Sequence, residues 1–246
     1  MIEARRLSAL DEFCEALKLQ QCVWGFSEVE LVPSPVFVVA SQTGGQVFGA
    51  FDGRRMAGFC LAFPALKPDG HPYLHSHMLA VLAEYRNAGV GRLLKLEQRS
   101  EALARGLDLM EWTFDPLQIK NAYFNIARLG AIVRRYVVDE YGNTSSPLDG
   151  GLPTDRCVAE WWIASPRVEA ILSTASEPRA LASGQVKQRI ALPADMDQIR
   201  RNDPARARDI QRSCAARFQA CFDRGLAVIG FECGEAEATY LLGRWP

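Results

Sequence analysis

His75 and His77 stand two residues apart, and with His71 they are the only histidines in the 246-residue chain. On a strand this spacing sends both rings to one face, with Cβ atoms about 7 Å apart. A neutral imidazole with a pKa near 6.5 accepts a proton at neutral pH, directly or through a water. An amine nucleophile needs that help, because a primary amine of pKa about 10.4 is mostly ammonium near neutrality. The same H-x-H spacing also suits two metal ligands, or two polar groups that merely find partners beside a sheet. No third ligand stands out in the sequence.

A second chemical feature follows on the same stretch. Arg86-Asn87-Ala88-Gly89-Val90-Gly91 lies between an extended run and a helical pattern. A helix beginning there aims unpaired N–H groups and the positive end of its dipole at one point. Glycine lets an anion approach the main chain without a Cβ in the way. It is not a P-loop, since no G-x-x-x-x-G-K-[ST] is present, and the third glycine of a dinucleotide fingerprint is missing. Taken alone, the segment reads first as an ordinary glycine-containing strand-to-helix turn.

The surrounding elements must hold these residues in place. Residues 2–6 read as a short strand. Ser8 reads as the N-cap of a helix through about Leu19, with Leu10, Phe13, Cys14 and Leu17 on one face. Pro33 and Pro35 interrupt the stretch from Cys22 to Gly45. Three extended runs follow, 46–51, 56–63 and 73–82, the first two joined at Asp52-Gly53, a hairpin dipeptide. A helix over 91–105 carries Leu93, Leu96, Ser100 and Leu103 at helical spacing and ends at Gly106. A strand over 107–114, a helix over 119–129 ended by Gly130, and strands over 131–140 and 156–163 complete an α/β layout with a mixed, mostly antiparallel sheet flanked by helices. Residues 173–184 (STASEPRALASG) suit a linker. Beyond them Asp203-Pro204 opens a helix with Ile210, Cys214, Phe218, Cys221 and Phe222 on one face, and 226–231 with 239–242 read as a hairpin.

Bulk properties narrow the partners. A formal net charge of -1 gives no basic surplus, so nucleic acid is not expected. The seven cysteines are scattered without a C-x-x-C and read as small buried hydrophobes in a reducing compartment. No apolar run reaches the roughly 20 residues of a membrane span, and the N-terminus has no signal-peptide pattern. The expected location is cytoplasmic, with no membrane partner.

Taken together, Leu79-Ala80-Val81 and the R-x-x-G-x-G turn resemble the acyl-CoA loop of the GNAT acyltransferase superfamily, and the element order from residue 2 to about 163 fits that fold. The family usually has proline where this chain has Ala83. The resemblance implies that Arg86, Asn87, Ala88, Gly89, Val90, Gly91 and Arg92 receive the CoA pyrophosphate. It also implies that Leu79, Ala80 and Val81 pair with the pantetheine arm, and that main-chain N–H groups near Leu79 and Ala80 polarise the thioester carbonyl. The H-x-H-x-L-A-V strand, in this register to the turn, further resembles the serotonin N-acetyltransferase group, which implies a proton-accepting role for His75 and His77 and leaves the acceptor open. Many members place a tyrosine four residues before the glycine that ends the later helix, as an acid for the departing thiolate. Here that position is Ile126, so Tyr123, one turn earlier, is the replacement candidate. Asn121 and Asn125 resemble the family's asparagine contacts to pantetheine, with Asn121 displaced by two residues from the common spacing. Trp24, Phe26, Trp161 and Trp162 are either acceptor-pocket aromatics or core.

The expectation is an N-acyltransferase domain over 1–165 and a C-terminal extension over 166–246, packed on the main domain or on a second copy as a homodimer. Its co-substrate would be acetyl-CoA or another acyl-CoA such as succinyl-CoA, with no metal, and its acceptor a small amine or amino acid. A non-catalytic acyl-CoA-binding or regulatory protein on the same fold competes with it, as does a metal-dependent hydrolase built on His75 and His77.

Overall fold

The computed structural model describes residues 1–173, 181 and 184–245. They form two compact units, Met1–Glu111 with Thr144–Leu148, and Trp112–Asn143 with Asp149–Pro246. This division by compactness is a separate matter from the acyltransferase boundary expected at 165/166. Most of the expected linker at 173–184 lies outside the described residues.

In the first unit, β1 (Ile2–Arg6), β2 (Gln46–Asp52), β3 (Arg55–Leu66) and β4 (Pro72–Val81) form an antiparallel array in that order. The start of β5 (Leu109–Phe114) runs parallel to β4, pairing Leu74 with Met110 and His75 with Glu111. Helices α1 (Leu10–Trp24) and α2 (Ser34–Gln42) bury Phe13, Leu19 and Phe37 against Phe59, Leu61 and Met78. Helix α3 (Val90–Ala104) packs Val90 and Leu94 against Phe48 and Cys60 on the opposite face. The two prolines that looked like breaks instead start α2. Pro33 is its N-cap and Pro35 lies in its first turn, where no intrahelical N–H bond is lost.

Two helix faces differ from the sequence expectation. In α3 the buried residues are Val90, Leu94, Lys95, Gln98 and Ala102, not the row through Leu93, Leu96 and Leu103. The inward face carries two long polar side chains, which a search for apolar spacing assigns to solvent. In α1 the N-cap is Ala9 and the buried residues are Phe13, Ala16, Leu19 and Gln20, while Leu10 and Cys14 are exposed. Gln20 earns its inward place by exchanging hydrogen bonds with the main chain of Val32, at 2.9 and 3.0 Å.

The second unit contains α4 (Ile119–Ala122), β6 (Ile132–Val137), β7 (Arg156–Trp162), α5 (Pro166–Ser173), β8 (Gln188–Pro193), α6 (Met196–Asn202), α7 (Pro204–Phe222), β9 (Leu226–Cys233) and β10 (Glu237–Arg244). Its strands follow the order β7-β6-β9-β10-β8. The C-terminal hairpin joins through Val133↔Val228, so the tail extends the sheet that holds β6. Phe218 sits between Tyr136 and Tyr240, and the Tyr240 hydroxyl donates to the Pro116 carbonyl at 2.6 Å. All seven cysteines are free. Cys60, Cys157, Cys214 and Cys221 are buried as expected, but Cys14, Cys22 and Cys233 are exposed. Among the described residues no helix is long and apolar enough to cross a membrane.

Candidate active site

Strand β4 does not alternate strictly. Leu61 pairs with Met78 and Ala62 with Ser76, so His77 is the extra residue of a β-bulge. Met78 therefore turns into the α1–α2 core while Ser76 faces α3, although unbroken alternation would put them on the same side. The His75 and His77 rings still come together, with centroids 6.0 Å apart, and Phe63 lies 5.6 Å from the His77 ring. The expected pairing of the two histidines is present, but a bulge delivers it.

Desolvation is the main cause lowering the pKa of His75. The like charge of His77 adds to it, Glu111 opposes, and Lys95 adds a little more. His77 has more of its surface in water, yet the protein around it still disfavours its imidazolium form and lowers its pKa too. Both rings are thus neutral at pH 7 and able to accept a proton. Glu111, paired in register with His75, is itself held by Lys67 Nζ at 2.5 Å. The third histidine, His71, is engaged by Asp108 at 2.8 Å.

After Val81 the chain makes one 3₁₀ turn, Ala83–Tyr85, and then exposes Arg86, Asn87, Ala88 and Gly89 before α3 begins at Val90. Asn87 and Gly89 are both left-handed, at φ 63° and 82°. Gly89 is the N-cap, contributes no side-chain bond, and accepts the Leu93 N–H on its carbonyl at 2.9 Å. The first turn of α3 has no acidic residue, and Arg92 lies within it. The N–H groups of that turn have no acceptor within the helix. A Cβ added at Gly89 would meet no atom within 4 Å, so the approach is open. Arg86 folds back, its Nε donating to the Val81 carbonyl at 3.3 Å. A helix N-terminus without an acid, two arginines and an open approach fit a pyrophosphate.

Beneath the histidines, on the α3 side, lies a polar cluster that the sequence reading missed. Lys95 Nζ donates to Ser76 Oγ at 2.7 Å, Ser76 Oγ donates to Gln98 Oε1 at 3.2 Å, and Gln46 Nε2 donates to the Gln98 carbonyl at 2.8 Å. All four residues are buried. Burial pushes the Lys95 ammonium down to about 7, with Cys60 opposing. The i,i+3 spacing of Lys95 and Gln98 was the available signal, and it resembles any solvated helix face.

Asn121, Tyr123, Asn125, Ile126, Trp161 and Trp162 belong to the second unit. There α4 runs into a π-helix over Tyr123–Arg128. Asn125 is buried and its Nδ2 donates to Asn121 Oδ1 at 3.2 Å, so those two do share a face. Ile126 is fully buried. Tyr123 is half-buried at the start of the π segment, where i→i+5 bonding means that three residues no longer make one turn. The α-helical step from Ile126 to Tyr123 therefore does not apply. Trp161 is core, fully buried with its Nε1–H on the Leu129 carbonyl at 2.7 Å, and Trp162 is half-buried. In the first unit Trp24 stacks on Phe26 at 5.7 Å and meets Phe59 edge-on at 6.3 Å. Among the described residues no group of three or more His, Cys, Asp or Glu could hold a metal ion.

The chain has the fold of solved GNAT acetyltransferases. The ribosomal-protein-S18-alanine N-acetyltransferase of Escherichia coli aligns with a TM-score of 0.53 at 16% identity, over 67% of this chain and 96% of that one. A GNAT-family acetyltransferase from Streptococcus pneumoniae aligns at 0.51 and 17% identity, over 65% and 98%. Arabidopsis thaliana Naa50, solved with the bisubstrate analogue CoA-Ac-MVNAL, aligns at 0.51 and 14% identity, over 65% and 97%. No family model and no curated protein matches the chain. At these identities the likeness is one of fold.

Proposed function

We propose that this chain is an acyl-CoA-dependent N-acyltransferase that moves an acetyl or other small acyl group, such as succinyl, to the amine of a small molecule or amino acid. The observation that carries this reading is the continuity of β4 with α3. One strand bears two neutral imidazoles and leads, through one 3₁₀ turn, into a helix N-terminus without acids.

In this reading the α3 N-terminus, with Arg86 and Arg92, binds the CoA pyrophosphate, and the main chain of Leu79, Ala80 and Val81 runs beside the pantetheine. His75 and His77 take the proton from the bound ammonium, directly or through a water. The freed amine attacks the thioester carbonyl, N–H groups near Leu79 and Ala80 stabilise the oxyanion, and the C–S bond breaks. The thiolate, whose thiol has a pKa of about 8.5, departs without a dedicated acid and takes up the proton that the amide nitrogen sheds. The reaction is direct, with no acyl-enzyme.

The test is calorimetry with CoA, followed by a free-thiol assay over a panel of amines, amino acids and a short peptide. CoA binding with turnover that is lost in His75→Ala/His77→Ala supports the reading. Binding with no turnover on any acceptor would reassign the chain as an acyl-CoA-binding protein, and no binding would remove the reading altogether.

A further inference from the structure

The histidine pair flanks a residue that points the other way. Ser76 lies between His75 and His77 in sequence, at the bulge, and its side chain enters the buried cluster under β4. A bulge leaves its extra residue without a cross-strand partner, so the ladder alone holds the direction of His77 weakly. Ser76 is 3% exposed, Lys95 2% and Gln98 0%, and the hydroxyl donates to one neighbour and accepts from the other. Each of these bonds is buried, so breaking one leaves a desolvated polar group and resists any slip of the bulge. Gln46 anchors the far side of the cluster through the Gln98 carbonyl.

We propose that Ser76, Lys95 and Gln98 form a clamp on the β4 bulge that sets the mutual position of the His75 and His77 rings. Lys95 and Ser76 are positioning residues that act through the backbone of β4 and touch no substrate. The proposal rests on the reading of the two histidines as proton acceptors, but its geometric part can be tested without any activity.

Ser76→Ala is the primary variant, because it removes one oxygen and changes no charge. The groups that act on His75 are His77, Glu111 and Lys95. With only three histidines in the chain, the His75 and His77 ring protons can be followed individually by NMR titration. Losing the clamp separates the rings and weakens their mutual repulsion, so the His75 titration moves up toward the ordinary value near 6.5. In the thiol assay kcat falls on the order of 10- to 100-fold, as for a misplaced catalytic group, with CoA affinity unchanged. Ser76→Thr keeps the hydroxyl and restores both readouts.

Lys95→Met tests the other end of the clamp by kcat alone, since removing its charge raises the His75 pKa in any case. Should Lys95→Met not fold, Ser76→Ala still decides the matter. An unchanged His75 titration in Ser76→Ala overturns the clamp, whatever happens to kcat. A shifted titration in a protein that acylates nothing upholds the clamp and sinks the catalytic reading instead.

Discussion

Helices α1 and α3 are both 15 residues long, so their dipoles are alike, yet their N-termini are treated in opposite ways. At α1 the chain supplies its own anions. Glu12 Oε2 accepts the Ser8 and Ala9 N–H groups at 2.9 and 3.1 Å, Asp11 accepts the Glu12 N–H at 3.0 Å, and Arg5 closes on Glu12 at 2.6 Å. At α3 a glycine caps the helix with no side chain, no acid follows, and the residues leading into it, Arg86 to Gly89, are exposed. One end is finished by side chains of the sequence and the other has no side-chain cap and no acid. The open end is also the one that continues from the histidine strand.

The comparison breaks first at the histidines, where the largest effect is expected. His75→Ala/His77→Ala should lower kcat by roughly 10²- to 10⁴-fold while calorimetry finds CoA affinity intact, because proton transfer is lost and the phosphate site is not. Loss of CoA binding in that variant would mean that the open helix end is not an independent site. Gly89→Glu probes the converse. It places a carboxylate where α1 already has one, and the repulsion should weaken CoA binding on the order of 100-fold. Its cost in stability, roughly 1–2 kcal/mol for a side chain at a left-handed position, is read separately by denaturation. Unchanged CoA affinity would show that the α3 terminus does not bind the pyrophosphate.

The pH dependence sharpens the same contrast with a smaller signal. As the proposed proton acceptors His75 and His77 must be neutral, and burial lowers both pKa values, so the acid limb of kcat should fall below the ordinary 6.5 or so. Activity is then full at neutral pH and is lost as pH drops through that lowered value. In His77→Asn the like charge is gone, the His75 pKa rises, and the limb moves upward. A limb that stays fixed in this variant would show that the two rings do not titrate as neighbours.

Much of this contrast was readable from the sequence, and the parts that were not have physical reasons. The glycine turn was legible because left-handed backbone and open approach both demand glycine at residue 89, a choice made by local sterics. The histidine pair was legible by type, but the bulge beneath it was not, since strict alternation and this bulge both put residues 75 and 77 on one face. Lys95 and Gln98 were hidden because burial of polar side chains depends on partners brought from β2 and β4, which helical spacing cannot report. Helix α2 was obscured by two prolines that are helix-starting only once the position of the first turn is known. The π segment after α4 escaped because its bonding pattern has no residue signature. In the tail, α5, β8 and α6 have eight, six and seven residues, too few for a period to emerge.

The smallest effect is expected at the finished helix end. Glu12 is subject to desolvation, which alone would raise its pKa, but the Ser8 and Ala9 N–H groups and then Arg5 outweigh it and hold the carboxyl below its usual value. A carboxylate with a lowered folded-state pKa stabilises above the unfolded value, about 4.3, and that contribution disappears as pH falls through the folded value. Glu12→Ala should therefore cost roughly 0.5–2 kcal/mol at pH 7, measured by urea denaturation, and much less in strong acid. Glu12→Gln retains an acceptor for the cap and should lose less, which separates the hydrogen bonds from the charge. Neither change should alter CoA affinity, because α1 already holds its own anion and offers no place for another. A drop in CoA affinity in either variant would erase the distinction between the two helix ends, since it would make the acidic terminus part of the ligand site.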